Sequence, residues 1–350
     1  MRAGLNCALS TALTLCLATQ VVAQSIGSCT ARVEDPAYAH AQRRIDLGDG
    51  RKLNLYCVGS GAPVVVFEAG LGDDTSTWGL VQPAIAKRTT ACAYDRAGIG
   101  FSDPATRPSS ASNIVDDLHH LLKKAGLKDP YVLVGHSYGG LTATLYASRY
   151  PEDVAAFVAV DPANERQVDA FREAFPNYGT NLLAPALARK QDCVHKAERG
   201  FDLDPAAGAG CVDKPDPRMG DALNAIHAQI HRQPAYQQAA FSEFESMRGG
   251  LSGSQLASEI GSFGSMPLIV LTRPKDTVPL GANETVQSRT ILWANWTTMH
   301  DKLAARSTRG ENRQVAATGH YIQLDQPGAV IDAIDTVLDV LAAQKTPEPK

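Results

Sequence analysis

The chain has 350 residues, 44% of them hydrophobic and 20% charged, with 33 Lys and Arg set against 37 Asp and Glu for a formal net charge of -4. That balance is ordinary for a globular enzyme and leaves room for one large α/β domain or two of moderate size. No long run of one sign occurs, so neither a nucleic-acid footprint nor a polybasic membrane patch is present.

Arg2, the apolar stretch Leu5 to Leu17 and the small residues Val21-Val22-Ala23 read as a secretory signal peptide over residues 1–23, cleaved after Ala23. The apolar run is short of the roughly 20 residues a membrane span needs, and bulky Leu15 before Cys16 does not suit a lipobox. The mature protein is therefore expected to be secreted or periplasmic, with no membrane span. Of the 7 cysteines, Cys29, Cys57, Cys92, Cys193 and Cys211 survive cleavage, and in an oxidising compartment they are disulfide candidates first. Their spacing matches no metal site, and neither a metal nor a cofactor is expected.

"RKLNLYCVG" (Arg51 to Gly59) alternates polar and apolar residues as a half-exposed strand does. "APVVVFEAG", ending at Gly70, is a buried strand, and "TTACAYDRAG" is another that ends in a turn. "SASNIVDDLHHLLKKAG" has helical periodicity, with Ser110 or Ser112 as cap and Gly126 as stop. "YVLVG" is again a buried strand, "GLTATLYASRYP" a helix closed by Pro151, and "VAAFVAVDP" the next strand. Buried strands alternating with helices predict βαβ units and a parallel sheet. The rhythm breaks over residues 164–265, where "FREAF", "DALNAIHAQIHR" and "YQQAAFSEFESM" are helical and no buried strand occurs. Strands resume at "MPLIVLTRPKD" and "ENRQVAATGH", and a last helix, "AVIDAIDTVLDVLAA", precedes a polar tail. The organisation expected is a core over 24–163 and 266–343, a helical cap over 164–265, and a disordered tail over 344–350.

Gly135-His136-Ser137-Tyr138-Gly139 fits G-x-S-x-G between a strand and a helix. A tight turn there strains the serine backbone, and glycines two residues to either side let chain pass closely. The hydroxyl is then held at a helix N-terminus, whose dipole favours developing negative charge. A serine nucleophile needs a base, and His320, in the loop after the last predicted strand, is the candidate. His119, His120 and His195 read as surface or helix-face residues, and the His136 side chain is expected to point away across the turn. The imidazole needs a carboxylate: Asp276 and Asp161 both follow predicted strands. An oxyanion hole needs two backbone N–H groups; Tyr138, after the nucleophile, and Leu71, between Gly70 and Gly72, are the candidates.

Together "FEAGLG", "YDRAGIGFSDP", "GHSYGG", "PLIVLTRPKDTVP" and "GHYIQLDQP" resemble the α/β-hydrolase fold family over roughly residues 51–342. The resemblance implies a mostly parallel eight-stranded sheet with helices on both faces and a cap inserted after the sixth strand. It favours Asp276 as the acid, with Asp161, where some relatives place theirs, as the alternative. It also implies that Cys57 and Cys92 lie on neighbouring strands and pair, leaving Cys193 with Cys211 in the cap and Cys29 over. One departure is Glu68, where relatives often carry a histidine. The expected activity is that of a secreted serine hydrolase acting on carboxylic esters or related small acyl compounds. Amide cleavage by an aminopeptidase-like relative, or ligand binding with little turnover, are the alternatives. A dehalogenase is disfavoured because Ser137 stands where such relatives carry a carboxylate.

Overall fold

A computed structural model of the protein describes residues 31–201, 209–274 and 284–345. The signal-peptide reading, Cys29 and residues 346–350 lie outside the described residues. Eight strands form one sheet: β1 (Arg43–Asp46), β2 (Lys52–Val58), β3 (Val65–Glu68), β4 (Ala91–Tyr94), β5 (Tyr131–His136), β6 (Val154–Val160), β7 (Leu268–Thr272) and β8 (Gly310–Gln314). Their order is β1-β2-β4-β3-β5-β6-β7-β8. Only β2 runs against its neighbours, β1 and β4; the other pairings are parallel. This is the sheet that the sequence resemblance implied. Edge strand β1 escaped sequence reading because "RRID" is short and buries only one residue of four, Ile45.

The helices are α1 (Gln82–Ile85), α2 (Ala111–Lys124), α3 (Tyr138–Arg149), α4 (Gln167–Ala174), α5 (Ala184–Glu198), α6 (Asp221–Ile230), α7 (Pro234–Gly249), α8 (Leu251–Glu259), α9 (Val286–Ala304), α10 (Ile322–Asp325) and α11 (Pro327–Lys345). Successive side chains of a strand face opposite sides, and both sides of this sheet are covered. Val66, Tyr131 and Leu133 pack with Leu118, Leu141 and Leu145 of α2 and α3. Val65, Phe67, Val132 and Val134 pack with Ile334 and Val337 of α11 and with Ile85 of α1. This double coverage is why the central strands read as continuous apolar runs rather than alternating ones.

Between β6 and β7 the chain forms α4 to α8, with no sheet strand among the described residues. The inserted segment is not uniformly detached from the sheet. Leu256 of α8 and Met247 of α7 join the core built by α2 and α3, and α8 packs along both of those helices. Disulfides join Cys57 to Cys92 across the β2–β4 ladder, where the two are register partners, and Cys193 to Cys211 within the insertion.

Candidate active site

Four successive strand ends place the site. In the parallel β5–β6 ladder His136 pairs with Val160, and in β6–β7 Val160 pairs with Leu271. The next residues, Ser137 and Asp161, therefore sit side by side beyond the carboxyl ends of the strands, where open α/β sheets form their sites. Both have positive φ, 53° at Ser137 and 42° at Asp161, a region that non-glycine residues rarely adopt. The Ser137 turn is held by hydrogen bonds from its amide to Val160 O (3.1 Å) and from the Ala163 amide to its own carbonyl (2.8 Å). The expected crowding is present. A Cβ on Gly135 would lie 2.5 Å from Gly139 O, and one on Gly139 would lie 2.3 Å from Ala69 O.

His320 returns to these strand ends from the loop after β8. Its Nε2 is 2.8 Å from Ser137 Oγ, and its Nδ1 is 2.6 Å from Asp161 Oδ2. Asp161 is wholly buried. Trp296 Nε1 donates to its Oδ1 (2.9 Å) and the Arg273 guanidinium to its Oδ2 (2.6 Å). Burial alone would raise the Asp161 carboxyl, but the His320 hydrogen bond and the charges of His320 and Arg273 hold it well below the usual carboxylate range. An ionised Asp161 acceptor fixes the His320 proton on Nδ1 and leaves Nε2 to accept from Ser137. Asp276, which the family resemblance favoured as the carboxylate, lies outside the described residues; among the described residues Asp161 is the carboxylate on Nδ1, and the Arg273 guanidinium also lies 2.9 Å from that nitrogen. The reason is register: Asp161 needs no loop to reach the imidazole, because its strand is the neighbour of the serine's.

The His136 side chain departs from expectation. Rather than pointing away, its Nε2–H donates to the His320 carbonyl (2.9 Å) and its ring lies 4.7 Å from the His320 ring. Burial, with the nearby His320 charge, pushes its pKa well below the usual histidine value, so it stays a neutral strut beneath the His320 loop. His119 is only partly exposed and stacks on Tyr150.

Leu71 and Tyr138 occupy the positions expected of oxyanion donors, after β3 and at the first turn of α3. Among the described residues neither amide N–H has an acceptor within the protein. The turn carrying Leu71 is held by a buried network that sequence reading missed. Arg96 donates to Ala69 O (2.7 Å), to Gly70 O, to Glu68 Oε1 (2.9 Å) and to Glu243 Oε1 (2.6 Å). Glu243, on α7, also accepts from the Gly72 amide (2.8 Å). Burial works against the Arg96 charge, but the carboxylates of Glu243 and Glu68 outweigh it and keep the guanidinium firmly protonated. Glu68 thus stands in the usual histidine position as a carboxylate anchor for this arginine. The signal was present only as two unexplained charges, Glu68 in an apolar run and Arg96 in "YDRAG".

A cavity of about 360 Å³ opens in front of Ser137 and His320, walled by Phe171, Met247, Trp293 and Trp296 and edged by Arg248 and Arg273. A second, of about 400 Å³, lies beside Leu71, Gly72 and Tyr321. No cluster of His, Cys, Asp and Glu suited to a metal occurs among the described residues, and no described helix is long and apolar enough to cross a membrane.

Residues 63–194 match the family described as "alpha/beta hydrolase fold". Over 105 residues the chain is 39% identical to the uncharacterized protein YqjL of Bacillus subtilis (strain 168), covering 30% of this chain and 42% of that protein. It is 31% identical over 143 residues to a 2-(acetamidomethylene)succinate hydrolase of Mesorhizobium japonicum, covering 40% of this chain and 50% of that protein. The chain thus spans half or less of the length of these curated relatives. Its backbone is similar to that of a "probable hydrolytic enzyme" of Pseudomonas aeruginosa PAO1, with a TM-score of 0.61, 20% identity, and coverage of 85% of this chain and 93% of that one.

Proposed function

The chain belongs to the α/β-hydrolase fold family, and from that premise we propose that it is a serine hydrolase cleaving carboxylic esters through an acyl-enzyme, with Ser137, His320 and Asp161 as its triad. The observation that carries this reading is the continuous hydrogen-bonded chain from Ser137 Oγ through both nitrogens of His320 to Asp161 Oδ2. His320 Nε2 takes the hydroxyl proton as Ser137 Oγ attacks the acyl carbon, and the carbonyl oxygen becomes an oxyanion facing the Leu71 and Tyr138 amides. Collapse breaks the C–O bond, and His320 returns the proton to the leaving alkoxide. Water, deprotonated by the same nitrogen, then attacks the acyl-serine and frees the acid. Asp161 stabilises the imidazolium in both halves without itself taking a proton. Asp276 has no part in this scheme.

Export is part of the same proposal: the leader-like N-terminus supports it, and the two disulfides suit an oxidising compartment. The test is covalent. A fluorophosphonate should label Ser137 in the wild-type protein, and Ser137→Ala should lose both labelling and p-nitrophenyl ester turnover while keeping its melting temperature. An alanine variant that still turns over such esters at the wild-type rate would sink the assignment.

A further inference from the structure

Three arginines line the cavity in front of Ser137: Arg248, Arg273 and Arg289. Arg273 is neutralised by Asp161 at 2.6 Å and Arg289 by Glu284 at 2.5 Å. Arg248, in the last turn of α7, is different. Among the described residues no carboxylate lies within salt-bridge distance of it; the polar side chain beside its guanidinium is the neutral Tyr178 hydroxyl, which itself donates to the Arg248 carbonyl (3.1 Å). The Arg248 Nε is sealed from solvent without any partner. The Phe171 ring also supports this side chain, 4.4 Å beneath the guanidinium carbon. A cation withdrawn from water is costly unless an anion or hydrogen-bond acceptors compensate it, and a guanidinium stacked on an aromatic face is pre-shaped to grip a carboxylate with two parallel hydrogen bonds. Burial already lowers the Arg248 pKa from its usual value. Arg248 lines the same cavity as Ser137 and His320.

Resting on the esterase reading, we propose that the substrate is an ester that also carries a carboxylate, which Arg248 binds while the hydrocarbon between the two functions lies against Phe171, Trp293 and Trp296. Hydrolysis adds water across the ester C–O bond, giving an alcohol and an acid, and leaves the gripped carboxylate untouched. The cavity volume is near the lower end of the range for small-molecule sites, about 300–1,000 Å³, which suits a short dicarboxylic half-ester better than a long lipid chain.

The experiment compares matched pairs on the purified wild-type protein: monoethyl adipate against ethyl hexanoate, and 6-acetoxyhexanoate against hexyl acetate. One charge-assisted hydrogen-bonded contact predicts a kcat/KM ratio of about 10- to 100-fold in favour of the charged member of at least one pair. Arg248→Met should collapse that ratio towards one and Arg248→Lys should keep part of it; any general loss of activity cancels in the ratio. Equal or faster turnover of the neutral member in both pairs, or a ratio that survives Arg248→Met, overturns the proposal. Calorimetric titration of monoethyl adipate into Ser137→Ala separates this claim from the esterase reading. Binding there that is lost in Ser137→Ala/Arg248→Met supports the carboxylate site even if no ester is turned over. Equal binding by both variants, or none by either, counts against it.

Discussion

Glu243 is the residue whose loss should most clearly tie stability to catalysis. Glu243→Ala removes two bonds to Arg96, at 2.6 and 3.1 Å, and the acceptor of the Gly72 amide at 2.8 Å. Glu68 remains on Arg96 at 2.9 Å, so the low end of the about 3–5 kcal/mol cost of breaking a buried ion pair applies. The stranded Gly72 amide adds about 1 kcal/mol. The sum, about 4 kcal/mol, is a large part of the about 5–15 kcal/mol that stabilises a typical domain. Catalysis should fall too, because Arg96 holds the carbonyls before Leu71 and Glu243 the amide after it. Losing an oxyanion donor outright costs about 10²–10³ in kcat, and a loosened Leu71 turn should cost about 10- to 100-fold. Urea denaturation and ester kinetics on the same sample measure both. A double-mutant cycle with Arg96→Met should show a coupling of about 2 kcal/mol or more, since the two residues share one network. A Glu243→Ala protein within about 1 kcal/mol of wild type, with unchanged kcat, would refute the role given to this network.

Two further outcomes are expected. Gly139→Ala would set a Cβ 2.3 Å from Ala69 O and 2.4 Å from Glu68 O, both backbone atoms leading into the Leu71 turn. It should cost about 3 kcal/mol or more and most of the activity; a crystal structure of an active, undistorted alanine variant would contradict this. Asp73 is held up to about 7 by burial, the Arg96 charge only partly opposing it. The folded state therefore keeps this proton between about pH 4 and 7, where the unfolded chain has lost it, and stability falls as pH rises through that window. Asp73→Asn removes that loss. Its amide can also donate to His136 Nδ1, which lies 3.8 Å from the present carboxylate and has no partner. Relative to wild type, the variant should gain about 3 kcal/mol of stability between pH 5 and pH 8, read as a rising melting temperature. A gap that is the same at both pH values would remove Asp73 as the cause.

The parts of the fold legible in the sequence were those with short-range signals. β3, β5 and β6 carried apolar runs bounded by glycine or proline, and the G-x-S-x-G turn carried its own steric logic in Gly135 and Gly139. The pairing of Cys57 with Cys92 followed from the sheet order that the family resemblance implied. α9 left no clear stripe, because its residues are divided between α4, the strands β7 and β8, and the open cavity that Trp293 and Trp296 line. The Arg96–Glu243 bond spans 147 positions, so nothing near either residue announces it. His136 was misjudged for a related reason: its partner is a backbone carbonyl 184 positions away. The preference for Asp276 rested on a spacing that resembles the family's acid loop, and that residue lies outside the described ones. Asp161 is set beside Ser137 by the pairing of β5 with β6, which is a property of the sheet rather than of either strand.

The identity of the carboxylate is the most direct test of the whole account, because Asp161 holds His320 at 2.6 Å while also receiving Arg273 and Trp296. In Asp161→Asn the two donors on Oδ1, Trp296 Nε1 (2.9 Å) and the Arg273 backbone amide (3.3 Å), hold the side-chain oxygen and leave its NH₂ at the Oδ2 position facing His320, which forces the proton onto Nε2, the wrong nitrogen for accepting from Ser137. The kcat for a p-nitrophenyl ester should fall by about 10⁴-fold, with fluorophosphonate labelling slowed in parallel, while Asp276→Asn stays within about tenfold of wild type. An Asp161→Asn enzyme that keeps most of its activity beside an inactive Asp276→Asn would contradict the account.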